Sequence, residues 1–365
     1  MKIAFLTNDA REESGGAFLS QKSLIEALND LGHEAYMIAT KTRGGEKEQS
    51  FRITYLNARG DFGRVLALRK MVLSERPDAL IASMNPQIVL CALAKIITPC
   101  AMTKFCGIVR MGNLCLKYAH SLRFVPFRLL QSLLFGKLDA AIAVSNFAAR
   151  DLQKAYYLKT LPVTLYNPID SEVIALKATE YAPQMPTNTL INIGRLANQK
   201  AQHLLVLAAA KLRDMRSDWH LIIMGADGVN KANILKAIAQ NGLEEFVTIM
   251  PFHSNPFPYL KQSKLFLLSS KYEGFGRVVA ESMALKVPVV AFRAPGGGHI
   301  ELLEDGRGFL VEWEDTDALA VEINTLLDSP DLCAKTAEKA YDFVLSLAPK
   351  RIAARLIEII GGDAQ

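Results

Sequence analysis

Ser270-Lys-Tyr-Glu-Gly-Phe-Gly-Arg-Val-Val-Ala-Glu-Ser-Met-Ala284 runs from a polar, glycine-punctuated loop straight into an apolar helix. Backbone N–H groups are unpaired at a helix start and the helix dipole is positive there, so the junction attracts anions. Eight helical residues turn about 80° beyond two full turns, so Glu273 and Glu281 would not share a helix face. We therefore expect Glu273 in the loop and Glu281 about one turn into the helix. The alternative is two solvated carboxylates that only favour the helix start.

Short apolar runs alternate with amphipathic stretches on both sides of this junction. The first half predicts strands at 2–6, 35–39, 79–83, 105–109 and 140–144. Helices are predicted between them at 17–31, 63–75, 87–97, 122–136 and 146–156. The second half predicts strands near 189–193, 219–224, 246–250, 264–268, 288–292 and 308–311. This alternation favours an α/β chain with parallel sheets covered by helices on both faces.

Length and composition allow two such sheets. The chain has 365 residues, of which 50% are apolar, enough for two cores. Residues 171–189 contain Pro183 and Pro186 and show no clear period, so we predict a linker there. Open α/β sheets bind ligands beyond the carboxyl ends of their strands, so two facing sheets predict a site in a cleft.

Two further segments have residue types suited to phosphate. Arg195 follows a predicted strand, and with Lys200 it supplies a guanidinium and an ammonium that could neutralise a diphosphate. The alternative is a solvated loop with two unrelated cations. Gly15 and Gly16 lie between the first strand and the first helix, where a backbone without side chains approaches a ligand closely. An ordinary strand-to-helix turn remains open for this pair.

In this order the motifs resemble the retaining glycosyltransferases of family GT4. Glu273-Gly-Phe-Gly followed by Glu281-Ser-Met-Ala resembles their E-x7-E signature, and Gly194-Arg195 with Lys200 resembles their phosphate-binding segment. Two other segments resemble the interdomain junction and a late loop of that family: Tyr166-Asn-Pro-Ile-Asp170, and Gly296-Gly-Gly298 with Glu301 and Asp305-Gly306. A single such match is weak, whereas four in the expected order are specific for fold and reaction type.

The resemblance implies the GT-B fold, in which two Rossmann-like, doubly wound domains face each other across a cleft. We assign residues 1–168 to an N-terminal acceptor domain and residues 169–347 to a C-terminal nucleotide-sugar donor domain. Residues 348–365 are expected to form a helix that crosses back and packs on the N-terminal domain.

The resemblance also implies roles for residues. Arg195, Lys200 and Glu273 become the catalytic candidates, with the two cations on the donor diphosphate and Glu273 on the sugar hydroxyls. Glu281 would bind the ribose, since a carboxylate accepts two hydrogen bonds side by side. The donor site would also include backbone groups of the glycine-rich segments, namely Gly15, Gly16, Gly274, Phe275 and Gly276. No cofactor and no essential metal ion are implied.

The first domain departs from the family pattern after its fourth strand. Many relatives have a histidine there, whereas this chain has Val109-Arg110-Met111-Gly112-Asn113. Arg110, Asn113 and His120 are candidates to replace it, and each also has a structural alternative. Further candidates in the second domain are His299, which follows three glycines and is expected to face the cleft, and three residues at strand ends that could border the base: Gly225, Pro251 and Phe252.

Composition excludes several classes. The net charge of +5 is too mild to indicate nucleic acid. Five cysteines without C-x-x-C or histidine pairing favour a reduced, cytoplasmic setting and no zinc site. We expect no signal peptide, and the apolar run 88–102 is interrupted by Lys95 and Pro99, short of the ~20 residues of a spanning helix. A dinucleotide enzyme is excluded because Gly274 and Gly276 are followed by valine at 279.

Residues 104–137 bear on the acceptor. Six cations, from Lys104 to Lys137 and including Arg128, interleave with apolar residues, and no acidic residue occurs until Asp139. Basic amphipathic segments adsorb to anionic membranes. We therefore expect a peripheral protein at the inner face of the cytoplasmic membrane. The alternative is a domain helix whose apolar side is core.

The predicted function is retaining transfer of a sugar from a nucleotide sugar, in particular a UDP-sugar, to a hydroxyl of a lipid-linked or lipopolysaccharide-type glycan in cell-envelope biosynthesis. Four alternatives remain: a nucleotide-sugar epimerase of the same fold, a soluble glycosyltransferase with a small-molecule acceptor, a glycoside hydrolase that uses Glu273 and Glu281, and a glycan-binding protein.

Overall fold

The computed structural model describes residues 1–10, 15–40, 49–118 and 121–362. The chain divides into two compact units. Unit 1 comprises Met1–Pro168 and Leu347–Gln365, and unit 2 comprises Ile169–Ser346. No helix of the described residues is both long and apolar enough to cross a membrane.

Unit 1 is built on parallel strands with helices between them. Its elements are β1 (Lys2–Thr7), α1 (Gly16–Asp30), β2 (Glu34–Ala39), β3 (Ile53–Tyr55), α2 (Gly60–Glu75), β4 (Ala79–Ser83), α3 (Asn85–Ile96), β5 (Lys104–Val109), α4 (Leu114–Tyr118), α5 (Val125–Phe135), β6 (Ala140–Ala143), α6 (Asn146–Tyr156) and β7 (Val163–Thr164). The described strands form one sheet in the order β3-β2-β1-β4-β5-β6-β7. Ile3 to Leu6 of β1 are fully buried, as expected for a parallel sheet covered on both faces.

Unit 2 repeats this plan. Its elements are α7 (Ser171–Lys177), β8 (Thr189–Ile193), α8 (His203–Met215), β9 (His220–Met224), α9 (Lys231–Gln240), β10 (Val247–Met250), α10 (Phe257–Gln262), β11 (Leu265–Leu268), β12 (Tyr272–Glu273), α11 (Arg277–Ala284), β13 (Val289–Arg293), β14 (Gly296–Gly297), α12 (Ile300–Leu303), β15 (Phe309–Glu312), α13 (Thr316–Leu327) and α14 (Pro330–Leu345). The main sheet has the order β10-β9-β8-β11-β13-β15, and β12 pairs separately with β14. Two parallel, helix-covered sheets confirm the predicted fold class.

The last helix, α15 (Pro349–Gly361), belongs to unit 1, where it packs against α1. Ile352, Leu356 and Ile359 are buried and recur at helical spacing, so they form the apolar stripe of α15. Lys350 pairs with Asp30 of α1 at 3.3 Å between Nζ and Oδ2. The apolar stripe of α15 therefore packs the C-terminal helix on unit 1, the unit that also contains the N-terminus.

Most predicted strands and helices are present within a few residues of their predicted bounds. The predicted linker 171–189 is wrong in part, because it begins with the helix α7. Asp170 caps this helix by accepting a hydrogen bond from the N–H of Val173 at 3.0 Å. The short strands β3 and β7 were not predicted because they have two or three residues and no readable period.

Only part of the basic segment 104–137 lies on the surface of unit 1. Phe105 and Leu114 lie in the core of unit 1. Arg128 is also buried, where its Nε donates to the carbonyl of Ala155 at 2.6 Å. A guanidinium placed there satisfies carbonyl groups at the end of α6 and is not available to a membrane.

Candidate functional site

The candidate site forms where strand order reverses in unit 2. The chain leaves β8 toward one edge of the sheet and leaves β11 toward the other, although β8 and β11 are neighbours. Loops at the carboxyl ends of such strands diverge and leave a crevice, the common ligand position in open α/β sheets. The loop after β8 contains Arg195 and Lys200, and the loop after β11 contains Glu273.

Hydrogen bonds join these two loops into one surface. The side-chain amide of Gln199 donates to the backbone carbonyl of Tyr272 at 2.9 Å. The backbone carbonyl of Gln199 accepts from the N–H of Lys271 at 2.8 Å. The carbonyl of Lys200 accepts from the hydroxyl of Ser269 at 2.7 Å. The positions of Lys200 and Glu273 are therefore set by the backbone as well as by their side chains.

Lys200 and Glu273 form an ion pair at 2.6 Å between Nζ and Oε1. Their side chains are only 21% and 13% exposed. Burial by itself raises the pKa of Glu273, but the charge and hydrogen bond of Lys200 outweigh it and lower that pKa. The methylene stem of Lys200 passes over Gly194, where an added Cβ would lie 3.3 Å from Cε. The carboxylate is thus held ionised at the floor of the site.

The glycines around Glu273 are required by close backbone approaches. β12 and β14 pair through Glu273 and Gly297, and the N–H of Gly298 donates to the carbonyl of Glu273 at 3.0 Å. A Cβ on Gly298 would lie 2.2 Å from the carbonyl oxygen of Gly274. Gly276 caps α11 with φ of 91°, a left-handed conformation that favours glycine.

His299 lies behind this loop and is fully buried, so the expectation that it faces the cleft is wrong. Its Nε2 donates to the carbonyl of Phe292 at 2.9 Å, and burial lowers its pKa, which keeps the imidazole neutral at pH 7. A Cβ on Gly276 would lie 2.9 Å from the Cβ of His299. His299 therefore packs under the start of α11 as a positioning residue.

Glu281 lies on α11 about one turn from its start, as predicted from the spacing. It is buried and accepts a hydrogen bond from Nε of Arg277 at 2.8 Å. Burial raises the pKa of Glu281, and the opposing charge of Arg277 does not fully compensate. The two glutamates thus differ, because Glu273 has its pKa lowered and Glu281 has its pKa raised.

Arg195 presents a free guanidinium. It is exposed, and within the described part of the chain its side chain makes no hydrogen bond or ion pair. Its backbone is fixed, since Gln202 donates to the carbonyl of Arg195 at 3.1 Å and to that of Gly194 at 3.3 Å. A Cβ on Gly225 would lie 2.1 Å from the carbonyl oxygen of Gly194, so glycine is needed where these loops meet.

A cavity of about 420 Å³ adjoins this loop at the carboxyl ends of β9 and β10. Three of the predicted base-bordering residues line it, Gly225, Pro251 and Phe252. Asp227 and Lys231 also line it and pair with each other at 2.9 Å. Its mixture of an aromatic ring, an aliphatic wall and one ion pair suits a flat heterocycle with polar edges.

Comparison with known proteins decides the family. The model described as glycosyl transferases group 1 matches residues 177–343, and the model described as glycosyltransferase family 4 matches residues 14–173. The chain belongs to the GT-B glycosyltransferases. The match to the second model covers most of the first segment of unit 1, although this segment lacks the histidine that the family pattern predicts.

Among curated relatives of this glycosyltransferase chain, one from Campylobacter jejuni is named N-acetylgalactosamine-N,N'-diacetylbacillosaminyl-diphospho-undecaprenol 4-alpha-N-acetylgalactosaminyltransferase. It is 32% identical over 224 residues, which is 60% of this chain and 60% of that protein. The next relative, alpha-D-kanosaminyltransferase of Streptomyces kanamyceticus, is matched over 39% of its length at 34% identity, which is 41% of this chain. The chain thus spans less than two thirds of the length of both relatives.

Among solved structures, HepE of Anabaena in complex with UDP has a TM-score of 0.79 and 21% identity, and the match covers 99% of this chain and 100% of HepE. This likeness shows the fold of the glycosyltransferase chain.

The predicted site residues of unit 1 lie in different structural elements. Gly15 caps α1 with φ of 84°, and Gly16 is the first residue of that helix. Arg110 donates to the side chain of Asn167 just before the end of the first segment of unit 1. The carbonyl of Asn113 accepts from the N–H of Lys117 and so begins α4. His120 lies outside the described residues.

Sequence reasoning missed three residues that build the site: Gln199, Gln202 and Arg277. The two glutamines contact partners far apart in sequence or backbone carbonyls, for which no local pattern exists. Arg277 could have been found, since its spacing of four from Glu281 favours an ion pair on a helix. Within the described residues, no group of three or more His, Cys, Asp or Glu side chains is arranged to hold a metal ion.

Proposed function

We propose that the protein is a retaining glycosyltransferase that moves a sugar from a UDP-sugar to a hydroxyl of a lipid-linked or lipopolysaccharide-type glycan. In this reaction the bond between the anomeric carbon and the diphosphate oxygen breaks. A new bond forms to the acceptor oxygen, and the acceptor hydroxyl loses its proton. Retention of configuration follows the family resemblance.

The observation that supports the proposal most is the ion pair of Lys200 and Glu273 beside the free guanidinium of Arg195. Two cations in the one loop after β8 suit the two phosphates of a leaving nucleoside diphosphate, whose negative charge grows as the sugar departs. The N-terminus of α11, directly after Gly276, adds N–H groups and the positive end of a helix dipole.

Each glutamate has a separate task in the proposal. Glu273 stays ionised beside Lys200, so it can accept hydrogen bonds from two hydroxyls of the donor sugar. Glu281 is proposed to accept hydrogen bonds from the ribose hydroxyls, and the adjoining cavity with Phe252 is proposed to hold the base. Binding of the sugar at Glu273 leaves Lys200 positioned between the carboxylate and the phosphates.

The relatives support the acceptor class. The Campylobacter protein is named for a diphospho-undecaprenol acceptor. A further relative at 26% identity over 171 residues, which covers 47% of this chain and 48% of that protein, is the lipopolysaccharide core biosynthesis glycosyltransferase LpsE of Rhizobium meliloti. HepE supports the choice of uridine, since it was solved with UDP bound. A lipid-linked or lipopolysaccharide-type glycan acceptor and a UDP-sugar donor are therefore the first to test.

The test is transfer by the full chain from a panel of UDP-hexoses, UDP-N-acetylhexosamines and GDP-hexoses to a polyprenyl-diphosphate glycan. Arg195→Ala is expected to lower the transfer rate about 100-fold, the cost of losing one electrostatic donor. Arg351→Ala, an exposed arginine of α15, is the matched control and is expected to change nothing. Epimerised donor without a glycosylated product would support an epimerase instead. No use of any donor, or full activity of Arg195→Ala, would refute the proposal.

A further inference from the structure

Helix α5 exposes three leucines on one face and buries Arg128 and Gln131 on the other. Leu129, Leu130 and Leu133 are 51%, 52% and 68% exposed. With Pro126 they recur at spacings of three and four, which helical geometry places within an arc of about 100° on one face. A stripe of leucines on the outer face is the reverse of the usual arrangement for a surface helix.

The rotation of α5 is fixed by its opposite face. Arg128 is buried, and besides its bond to Ala155 it donates to the carbonyl of Lys154 at 3.1 Å. Its guanidinium also stacks on the ring of Tyr157 at 4.0 Å. Gln131 is buried on the same side. Turning the leucines inward would break these contacts and expose the buried polar groups. The contacts of Arg128 therefore keep the leucines on the outer face of α5.

The segment before α5 extends the stripe. Leu122, in the 3₁₀ turn Leu122–Phe124, is 88% exposed. Tyr118 anchors this turn, because its ring packs on Phe124 at 5.3 Å and on Phe127 of α5 at 5.0 Å. Leu122 is therefore held next to the helix on a well-packed base and adds to the same exposed apolar surface.

Cations flank the stripe. Lys117 precedes the turn, Arg123 lies within it and Lys137 follows the helix, and all three are exposed. Within the described part of the chain none of them makes an ion pair with a carboxylate. The sequence has no Asp or Glu from Lys104 until Asp139. The charged side chains of the segment that contains the stripe are therefore all cationic.

We propose that Leu122, Leu129, Leu130 and Leu133 form, with Lys117, Arg123 and Lys137, a leucine face that docks on an anionic lipid bilayer. Leucines that enter the acyl boundary lose contact with water, and the cations pair with anionic headgroups. The three cations, and the lack of acidic residues between Lys104 and Asp139, favour an anionic surface over a second copy of the chain, whose own leucine face has the same cations. The proposal concerns attachment and does not depend on the transfer reaction.

The test is co-sedimentation of the full chain with vesicles of phosphatidylcholine alone or with 30% phosphatidylglycerol (about the anionic content at which surface charge is strongly felt), at low and high salt. We expect binding to the anionic vesicles that weakens with salt. Leu129→Ser with Leu133→Ser is expected to weaken binding at least about tenfold, since burial of each leucine contributes well over a factor of three.

Two matched controls separate the face from general effects. Leu161→Ser with Leu332→Ser removes two exposed leucines elsewhere and is expected to leave binding unchanged. Arg123→Glu with Lys137→Glu is expected to abolish binding to anionic vesicles, whereas Lys335→Glu with Lys339→Glu changes the net charge equally and should retain most of it.

Wild-type protein that does not bind anionic vesicles, or face variants that bind as well as the wild type, would overturn the proposal. A dimer in analytical ultracentrifugation that the leucine variants convert to monomer, without vesicle binding, would assign the face to a second copy. Circular dichroism of each variant checks that the fold is kept, which we expect because exposed side chains contribute little to stability.

Discussion

Replacing Lys200 by methionine leaves the Glu273 carboxylate without its counter-ion where only 13% of that side chain is exposed. Methionine keeps most of the stem that passes over Gly194, so the change removes charge and little packing. Breaking a buried pair costs about 3–5 kcal/mol, because the remaining charge is desolvated and unpaired. Since Glu273 keeps some contact with water, we expect the lower end, about 3 kcal/mol at pH 7.5.

The stability that the pair of Lys200 and Glu273 contributes depends on pH. In the wild type Lys200 holds the pKa of Glu273 below its usual 4.5, so the contribution of the pair is complete above pH 4.5 and is lost as the pH falls through the lowered pKa. Without Lys200, burial is opposed only by the smaller effects of Ser270 and His299, so we expect that pKa to rise. The cost of the substitution is therefore largest at neutral pH and becomes smaller as the pH falls toward 4.5.

Urea unfolding followed by tryptophan fluorescence measures this effect, because both tryptophans of the chain, Trp219 and Trp313, lie in unit 2. The double variant Lys200→Met with Glu273→Gln removes both charges and should regain most of the lost stability. The interpretation of Lys200 and Glu273 as a stabilising buried pair would be refuted by either of two results. One is a decrease in the free energy of unfolding below about 0.5 kcal/mol, the size of an ordinary surface substitution, and the other is a decrease that does not vary between pH 7.5 and 4.5.

Three further predictions concern single contacts. Gly298→Ala should cost unit 2 about 2 kcal/mol in urea unfolding, because its Cβ meets backbone oxygens at 2.2 Å and 2.6 Å; Gly63→Ala in α2, with 3.7 Å of clearance, is the control and should cost nothing. Glu281→Gln should stabilise unit 2 at pH 7.5 and make no difference below pH 4.5, since burial raises the pKa of Glu281 and its ionisation opposes folding. A difference in stability between the variant and the wild type that is the same at both pH values would contradict this. Arg128→Met should cost about 2 kcal/mol in calorimetry, because two carbonyls at the end of α6 lose their donor.

The junction 270–284 was predictable because its signals are local. Apolar periodicity begins after Gly276, and α11 begins at Arg277. The spacing of the two glutamates placed Glu281 in the helix, which is confirmed, and Glu273 in the loop before it, where the structure has the short strand β12. The two-residue strand at Glu273 was not predictable, since its partner Gly297 is distant in the chain.

The orientation of α5 could not be read from the sequence. Its apolar residues, with Val125, Phe127 and Phe135 included, occupy positions all around the helix, so periodicity does not distinguish the inner face from the outer one. What fixes the rotation is the bond from Arg128 to Ala155, a contact across 27 residues. The same holds for His299, whose burial depends on Phe292 and on the close approach of Gly276.

The most direct test of the account is calorimetric titration of UDP into the full chain and into Arg195→Ala. The account predicts that the wild type binds UDP, because Arg195, Lys200 and the start of α11 face its phosphates in the proposed site. Loss of Arg195 should weaken binding at least about tenfold, the value of one charge-assisted contact, whereas Arg351→Ala should bind as the wild type does. Absence of UDP binding by the wild type, or equal affinity of Arg195→Ala, would contradict a nucleotide-sugar site at these loops.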